Sequence, residues 1–163
     1  MHDIAQICIN GHLINGSSTK YPECNKKYCS DCGEKVIDKC PECKFPIQGD
    51  IHDDDLFLPM NTCVPEYCPN CGKPYPWTKA KLDALNEMID LVDELNDDEK
   101  NELKKSGELI STDNPRSQIA VYKIKKYLTK VGNSLSGKLE ELFIEIASET
   151  AIKAMKEVGM LPK

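Results

Sequence analysis

Cysteine is missing from most of the chain: all nine lie between Cys8 and Cys71, and the 92 residues that follow have none. No apolar run approaches the roughly 18 residues of a membrane-crossing helix. Met1 to Asn15 lacks the basic start and unbroken apolar stretch of an export signal, because Asp3, Gln6, Asn10 and His12 interrupt it. These absences point to the cytoplasm, where thiols stay reduced and clustered cysteines read as metal ligands. The odd cysteine count argues against a fully paired disulfide framework. Aromatic residues are few, and the first half also lacks long apolar stretches. Its core must therefore be small, and such a unit needs disulfides or a metal to offset chain entropy. Basic charge is in short supply as well. The formal net charge is −6, about −4 of it in residues 1–77, and thiolate-bound zinc would add negative charge. That balance argues against nucleic acid as a partner.

What is present is a series of paired ligand-type residues: Cys8-x3-His12, Cys29-x2-Cys32, Cys40-x2-Cys43 and Cys68-x2-Cys71. Two-residue spacing lets both sulfurs face one ion from a single tight turn. Gly33 and Gly72 follow the second cysteine of their pairs, where a positive φ is often needed. Pro41 and Pro69 follow the first cysteine of theirs and fix φ where the turn begins. Gly11 before His12 is placed for a similar part. Two such pairs complete a tetrahedron, so four pairs predict two Zn2+ per chain.

The chain echoes itself. Cys24-x4-Cys29-x2-Cys32-Gly33 aligns with Cys63-x4-Cys68-x2-Cys71-Gly72, and Tyr28 and Tyr67 align just before each pair. The echo favours sequential pairing, with Cys8, His12, Cys29 and Cys32 on one ion and Cys40, Cys43, Cys68 and Cys71 on the other. The intervening loops are then 16 and 24 residues long. A cross-brace, joining pairs one and three and pairs two and four, is the rival. Its RING-type examples place the middle pairs closer than the seven residues between Cys32 and Cys40.

Cys24 and Cys63 are left over at equivalent places, as free thiols, substitute ligands or redox groups. His2 and His52 sit at no convincing ligand spacing and read as solvated, and Asp53, Asp54 and Asp55 read as a charged loop tip. A thioredoxin-like role wants one cysteine pair at a helix start after a strand, which four pairs with turn prolines and glycines do not resemble. A rubredoxin-like iron site is the minority alternative to zinc. Catalytic zinc keeps an open position, whereas thiolates here fill both sites and blunt Lewis acidity. No His-x-Glu precedes either Cys-Pro-x-Cys, as a deaminase requires. The expectation is a protein without enzymatic activity.

After Trp77 the pattern turns helical. Thr78 reads as an N-cap followed by an apolar stripe of Leu82, Leu85, Met88, Ile89, Val92 and Leu95. Asn96 to Glu99 reads as a break and restart running to Gly107. Asn114-Pro115 predicts a cap with proline at the first helical position, before a helix with Ile119, Tyr122, Leu128 and Val131 on one side. A last helix is predicted from Ser134 to about Val158, carrying Leu135, Leu139, Leu142, Phe143, Ile146 and Thr150. Acidic residues dominate Asp83 to Glu102, and basic ones hold Arg116 to Lys138 without a single acid. Arg116, Lys123, Lys125, Lys126 and Lys130 therefore form a candidate anion-binding face for nucleic acid or a membrane surface, unless the acidic helix covers them. Ala147, Ala151 and Ala154 give the last helix enough small apolar surface to suggest self-association.

Cys8-Ile9-Asn10-Gly11-His12, Tyr28-Cys29-Ser30-Asp31-Cys32-Gly33, Cys40-Pro41-Glu42-Cys43 with Ile47-Gln48-Gly49, and Tyr67-Cys68-Pro69-Asn70-Cys71-Gly72-Lys73-Pro74-Tyr75-Pro76-Trp77-Thr78 resemble a family of small bacterial proteins of unknown function. That family carries a double zinc-ribbon-like module followed by a variable helical tail. The resemblance covers roughly residues 4–80, and Pro-Tyr-Pro-Trp-Thr is its most specific part. It implies zinc on the eight paired residues and a bacterial or archaeal origin; it implies no activity, and Cys24 and Cys63 fall outside its pattern.

The expected architecture is a metal-stapled zinc-ribbon or knuckle module of short β-hairpins over residues 1–77, then an α-helical hairpin or bundle over 78–163. The expected role is an interaction or scaffold module, binding a protein partner or itself through the C-terminal helices. Anion binding and thiol redox chemistry are the alternatives.

Overall fold

The computed structural model describes residues 1–51 and 63–162. His52, Asp53, Asp54 and Asp55 lie outside the described residues. The chain divides into two compact units, Met1–Ala80 and Lys81–Lys163.

The first unit is built from short strands and tight turns. β1 (His2–Ile4) pairs antiparallel with β5 (Gln48–Ile51), while β2 (Gln6–Cys8) lies between β3 (Leu13–Asn15) and β4 (Val36–Ile37) in a second antiparallel sheet. Single bridges Tyr28↔Lys35, Lys39↔Pro46 and Tyr67↔Pro74 close three further hairpins. Among the described residues no strand exceeds four residues, so little of this backbone is held by extended ladders. The buried cluster consists of Ala5, Ile7, Cys40, Ile47, Cys68, Tyr75 and Trp77. Two of its seven members are candidate ligands, which leaves a small apolar core of the kind a metal must supplement. Asp3 tightens the loop after β3 by accepting from the backbone N–H groups of Thr19 and Lys20 and from the Thr19 hydroxyl.

α1 (Pro76–Asp90) begins in the first unit and ends in the second. Pro76 takes the first helical position, where no intrahelical N–H is lost. Thr78 is inside the helix instead of capping it, and its hydroxyl donates to the Glu66 carbonyl at 2.7 Å.

The second unit holds the rest of α1, α2 (Asp97–Ile110), α3 (Ser117–Leu128), α4 (Asn133–Ile146) and α5 (Glu149–Glu157). The break expected at Asn96 is a capping box: the Asn96 side chain accepts from Glu99 N–H, and the Glu99 carboxylate accepts from Asn96 N–H. Leu85, Ile89, Val92 and Leu95 are buried as the stripe predicts, together with Leu103, Ile110, Ile124, Leu139, Phe143 and Met155.

Three expectations for this half need correction. Pro115 does not open α3. The Asn114 carboxamide accepts from Arg116 N–H, which makes a turn of Asn114-Pro115, and the helix starts at Ser117. Ile119 and Tyr122 are 60% and 56% exposed, because α3 turns Ala120, Val121, Ile124 and Tyr127 inward instead. The predicted last helix is two: Ala147 is extended, Ser148 caps α5 by accepting from Ala151 N–H, and Ser148 N–H donates to the Ile110 carbonyl. Of the small residues on this segment, Ala151 and Ala154 are buried in the core of their own unit and Ala147 is half-buried.

Candidate metal centres

Each ligand pair sits in a hydrogen-bonded knuckle. In three of them the first cysteine's N–H donates to the carbonyl five residues on, and its carbonyl accepts from the N–H four residues on. The bonds are Cys29 to Glu34 and Gly33 to Cys29, Cys40 to Phe45 and Lys44 to Cys40, and Cys68 to Lys73 and Gly72 to Cys68. This loop needs a positive φ at its fourth step. Gly33 and Gly72 supply it at 75° and 70°, and Lys44 adopts it at 64° without being glycine. The Lys44 ammonium donates to the Pro41 carbonyl at 2.7 Å across the same loop. The first knuckle is one residue tighter, with Cys8 N–H donating to the His12 carbonyl and Gly11 at φ 91°.

The sheet brings the first two knuckles together. β2 ends at Cys8 and pairs with β4 (Cys8↔Val36), and Ile9 N–H donates to the Lys35 carbonyl, so the Cys29 knuckle hangs beside the Cys8 knuckle. In the first group Cys8 Sγ is 3.4 Å from His12 Nδ1 and 3.8 Å from Cys32 Sγ, and Cys29 Sγ is 3.5 Å from His12 Nδ1. In the second group Cys40 Sγ is 3.8 Å from Cys71 Sγ, and Cys43 Sγ is 3.6 Å from Cys68 Sγ. Within each group all four ligand atoms lie within 4.8 Å of one another. A tetrahedron with metal–sulfur bonds of about 2.3 Å has sulfur–sulfur edges of about 3.8 Å, and about 3.5 Å where a histidine nitrogen replaces one sulfur. The five separations match edges of metal-sized tetrahedra, and the donor atoms gather into two groups of four. They group as pairs one with two and three with four, not in a cross-brace.

Within each group the sulfurs lie close enough to shift one another's ionisation. An Asn70 side-chain hydrogen bond, with help from Phe45 N–H, draws Cys43 down to about 6. Burial pushes Cys29 up, but the N–H groups of Asp31 and Cys32 outweigh it and bring the thiol to about 7. Burial likewise opposes Cys68, whose pKa is lowered by N–H groups of Cys71 and Asn70. Burial raises Cys8 against the N–H groups of His12 and Asn10. At Cys71 the N–H of Lys73 works downward, but burial and the sulfurs of Cys43, Cys68 and Cys40 push the thiol up to about 12. Four adjacent thiolates repel one another, and a bound dication is what lets all of them ionise together.

The two groups differ in surroundings. His12 is exposed and Cys32 lies at the surface, whereas Cys40 and Cys68 are buried and Cys43 and Cys71 half-buried. The Pro-Tyr-Pro-Trp-Thr segment packs beside the second group. Pro74 bridges to Tyr67, Tyr75 stacks on Trp77 with ring centres 4.8 Å apart, and Trp77 Nε1 donates to the Pro65 carbonyl at 2.8 Å. Sequence reasoning did not single out Asn70 or Tyr75. Asn70 stands between two candidate ligands, and Tyr75 belongs to the Pro-Tyr-Pro-Trp-Thr segment that the resemblance marked, but neither position announced a role for its side chain.

Cys24 and Cys63 are exposed and join neither group. His2 is exposed, with Nδ1 3.2 Å from the Gly49 carbonyl. Of the candidate anion-binding residues, Lys123 and Lys130 pair with Glu102 and Glu99 of α2, and Lys125 donates to the Val158 carbonyl. The Lys126 ammonium lies 5.6 Å from the Tyr127 ring centre, and Arg116 is exposed at the start of α3. The acidic helix therefore takes up part of the basic face. Among the described residues no helix is long and apolar enough to cross a membrane.

A family profile described as "uncharacterized protein conserved in bacteria (DUF2321)" matches residues 1–155. The match extends well past the residues 4–80 that carried the resemblance, into the helical half. No curated protein and no solved structure matches the chain.

Proposed function

We propose, for a chain that belongs to the DUF2321 family of uncharacterized proteins conserved in bacteria, a binding or scaffold role without enzymatic activity, resting on two structural zinc centres. The observation that carries this reading is the donor geometry: two groups of four soft or imidazole ligands with the edges of closed tetrahedra. A full ligand set leaves no coordination position for a substrate water. Thiolate donors also donate charge to the metal and weaken it as a Lewis acid. Zinc is favoured over iron because one centre includes His12, whereas rubredoxin-type iron takes four cysteines. Such centres persist where thiols stay reduced, which fits a cytoplasmic setting. The zinc centres rigidify the first unit, and the helical unit supplies the partner surface. Exposed Ile119 and Tyr122, one turn apart on α3, support that part of the reading.

Metal analysis of protein purified without added metal tests the centres, with two zinc per chain expected and iron or a single zinc overturning the assignment. Cobalt substitution tests the absence of catalysis. Closed sites give a four-coordinate visible spectrum that azide and cyanide leave unchanged, and a spectrum that shifts on adding either anion reveals an open position.

A further inference from the structure

Tyr75 is 1% exposed, and its hydroxyl is shut away from solvent with no hydrogen-bond partner among the described residues. Burying an unpaired phenol is costly, and phenylalanine would give the same stacking on Trp77 without that cost. The neighbouring ring has no such problem, because Trp77 Nε1 donates to Pro65. Tyr75 shares its buried cluster with Cys40 and Cys68. The internal echo supplies a comparison: Tyr75 stands seven residues after Cys68, and the residue seven after Cys29 is Val36. The phenol therefore accompanies only the four-cysteine group.

That group is where a donor is most needed. Four thiolates around a divalent ion leave a net charge of −2, against −1 for three thiolates and an imidazole. The four-cysteine group is also the more buried of the two. We propose that Tyr75 is a positioning residue for the second centre, its hydroxyl donating a hydrogen bond to the Cys68 thiolate once a divalent metal is bound. This rests on the reading that the Cys40, Cys43, Cys68 and Cys71 group holds such a metal. The bond spreads thiolate charge onto a buried donor and slows metal loss, as hydrogen bonds to metal ligands do elsewhere.

The test is Tyr75→Phe in the full chain, with Tyr21→Phe as an exposed control. Zinc transfer from the second centre to a competing chelator is expected to speed up about 10- to 100-fold. In cobalt-loaded protein the sulfur-to-metal charge-transfer band should move to lower energy, because an unbonded thiolate is easier to oxidise. The control should change neither reading. An unchanged band and unchanged transfer in a folded Y75F protein would overturn the proposal. If Y75F does not fold, wild-type protein loaded with cadmium-113 gives a second reading: coupling between the metal and the Tyr75 hydroxyl proton is expected, and its absence overturns the bond. Wild-type protein that takes no cobalt into this centre would defeat the metal reading itself, a result separate from failure of the hydroxyl alone.

Discussion

Gly11 lies against Trp77 so closely that a Cβ on Gly11 would stand 3.1 Å from the Trp77 Cβ and 3.3 Å from its Cγ. The contact joins the first knuckle to the aromatic segment beside the second centre. It is made at φ 91°, a conformation that side chains other than glycine rarely adopt. Gly33 and Gly72 share the positive φ, but a Cβ on either meets nothing within 4 Å.

These three glycines separate strain from collision. Gly33→Ala and Gly72→Ala are expected to destabilise the metal-loaded protein by about 1 kcal/mol each, the cost of left-handed backbone alone. Gly11→Ala adds displacement of Trp77 and is expected to cost about 2 kcal/mol or more. Thermal unfolding followed by Trp77 emission ranks them, and equal losses would show that the tryptophan contact is slack.

Lys44 occupies the position that glycine fills in two sister knuckles. Lys44→Gly relieves left-handed strain while removing the hydrogen bond to Pro41, which sits at the surface where water competes for both groups. The expected result is a gain of up to about 1 kcal/mol in the metal-loaded state. A loss of stability in the same melt would mean that the ammonium–carbonyl bond outweighs the strain.

Metal removal should act on the units unequally. Leu85, Ile89, Leu103, Ile124, Leu139 and Phe143 give the helical unit its own core, while the first unit buries candidate ligands as part of its cluster. A strong chelator is expected to shift Trp77 emission to the red and to leave most of the helical circular dichroism in place. Parallel loss of both signals would count against an independent helical core.

The first centre should also yield before the second. His12 and Cys32 lie at the surface, and thiol reagents and chelators reach them without opening the fold. Release of the two metals is expected in two phases, and His12→Ala should abolish the fast one. Single-phase release would contradict the difference in burial.

Alkaline pH probes the helical unit. Tyr127 donates to the Glu102 carboxylate, which raises the phenol from 10 to about 12. A pKa raised on folding contributes stability that is complete below pH 10 and declines as pH climbs towards 12. Wild-type protein is expected to lose stability across that window more steeply than Tyr127→Phe. Matching slopes would place the ionisation elsewhere.

The candidate metal ligands were legible because each knuckle is a local loop. Cys-x2-Cys with a following glycine records a hydrogen-bonded turn completed within six residues, and no distant contact is needed to form it. Asn96 and Glu99 were legible for the same reason, since a capping box spans only one helical turn. The helix faces were less so. The stripe of Ile119 and Tyr122 has helical spacing, but periodicity does not say which side of α3 meets the core, and Ala120, Val121 and Ile124 pack there. The split at Ala147–Ser148 depends on a hydrogen bond from Ser148 to Ile110, 38 residues away, which no local pattern announces. The same holds for the basic stretch, whose acidic complement on α2 was visible in composition while its pairing was not.

By itself the sequence determined the candidate ligand types, their turns, the poverty of the first core and the helical character of the rest, all of which depend on short-range sterics and composition. The tertiary structure decided which knuckles converge, which helix faces are covered and where the Tyr75 hydroxyl is buried. Those outcomes depend on side chains far apart in the chain meeting in a packed interior, where burial and partner geometry outweigh local preference.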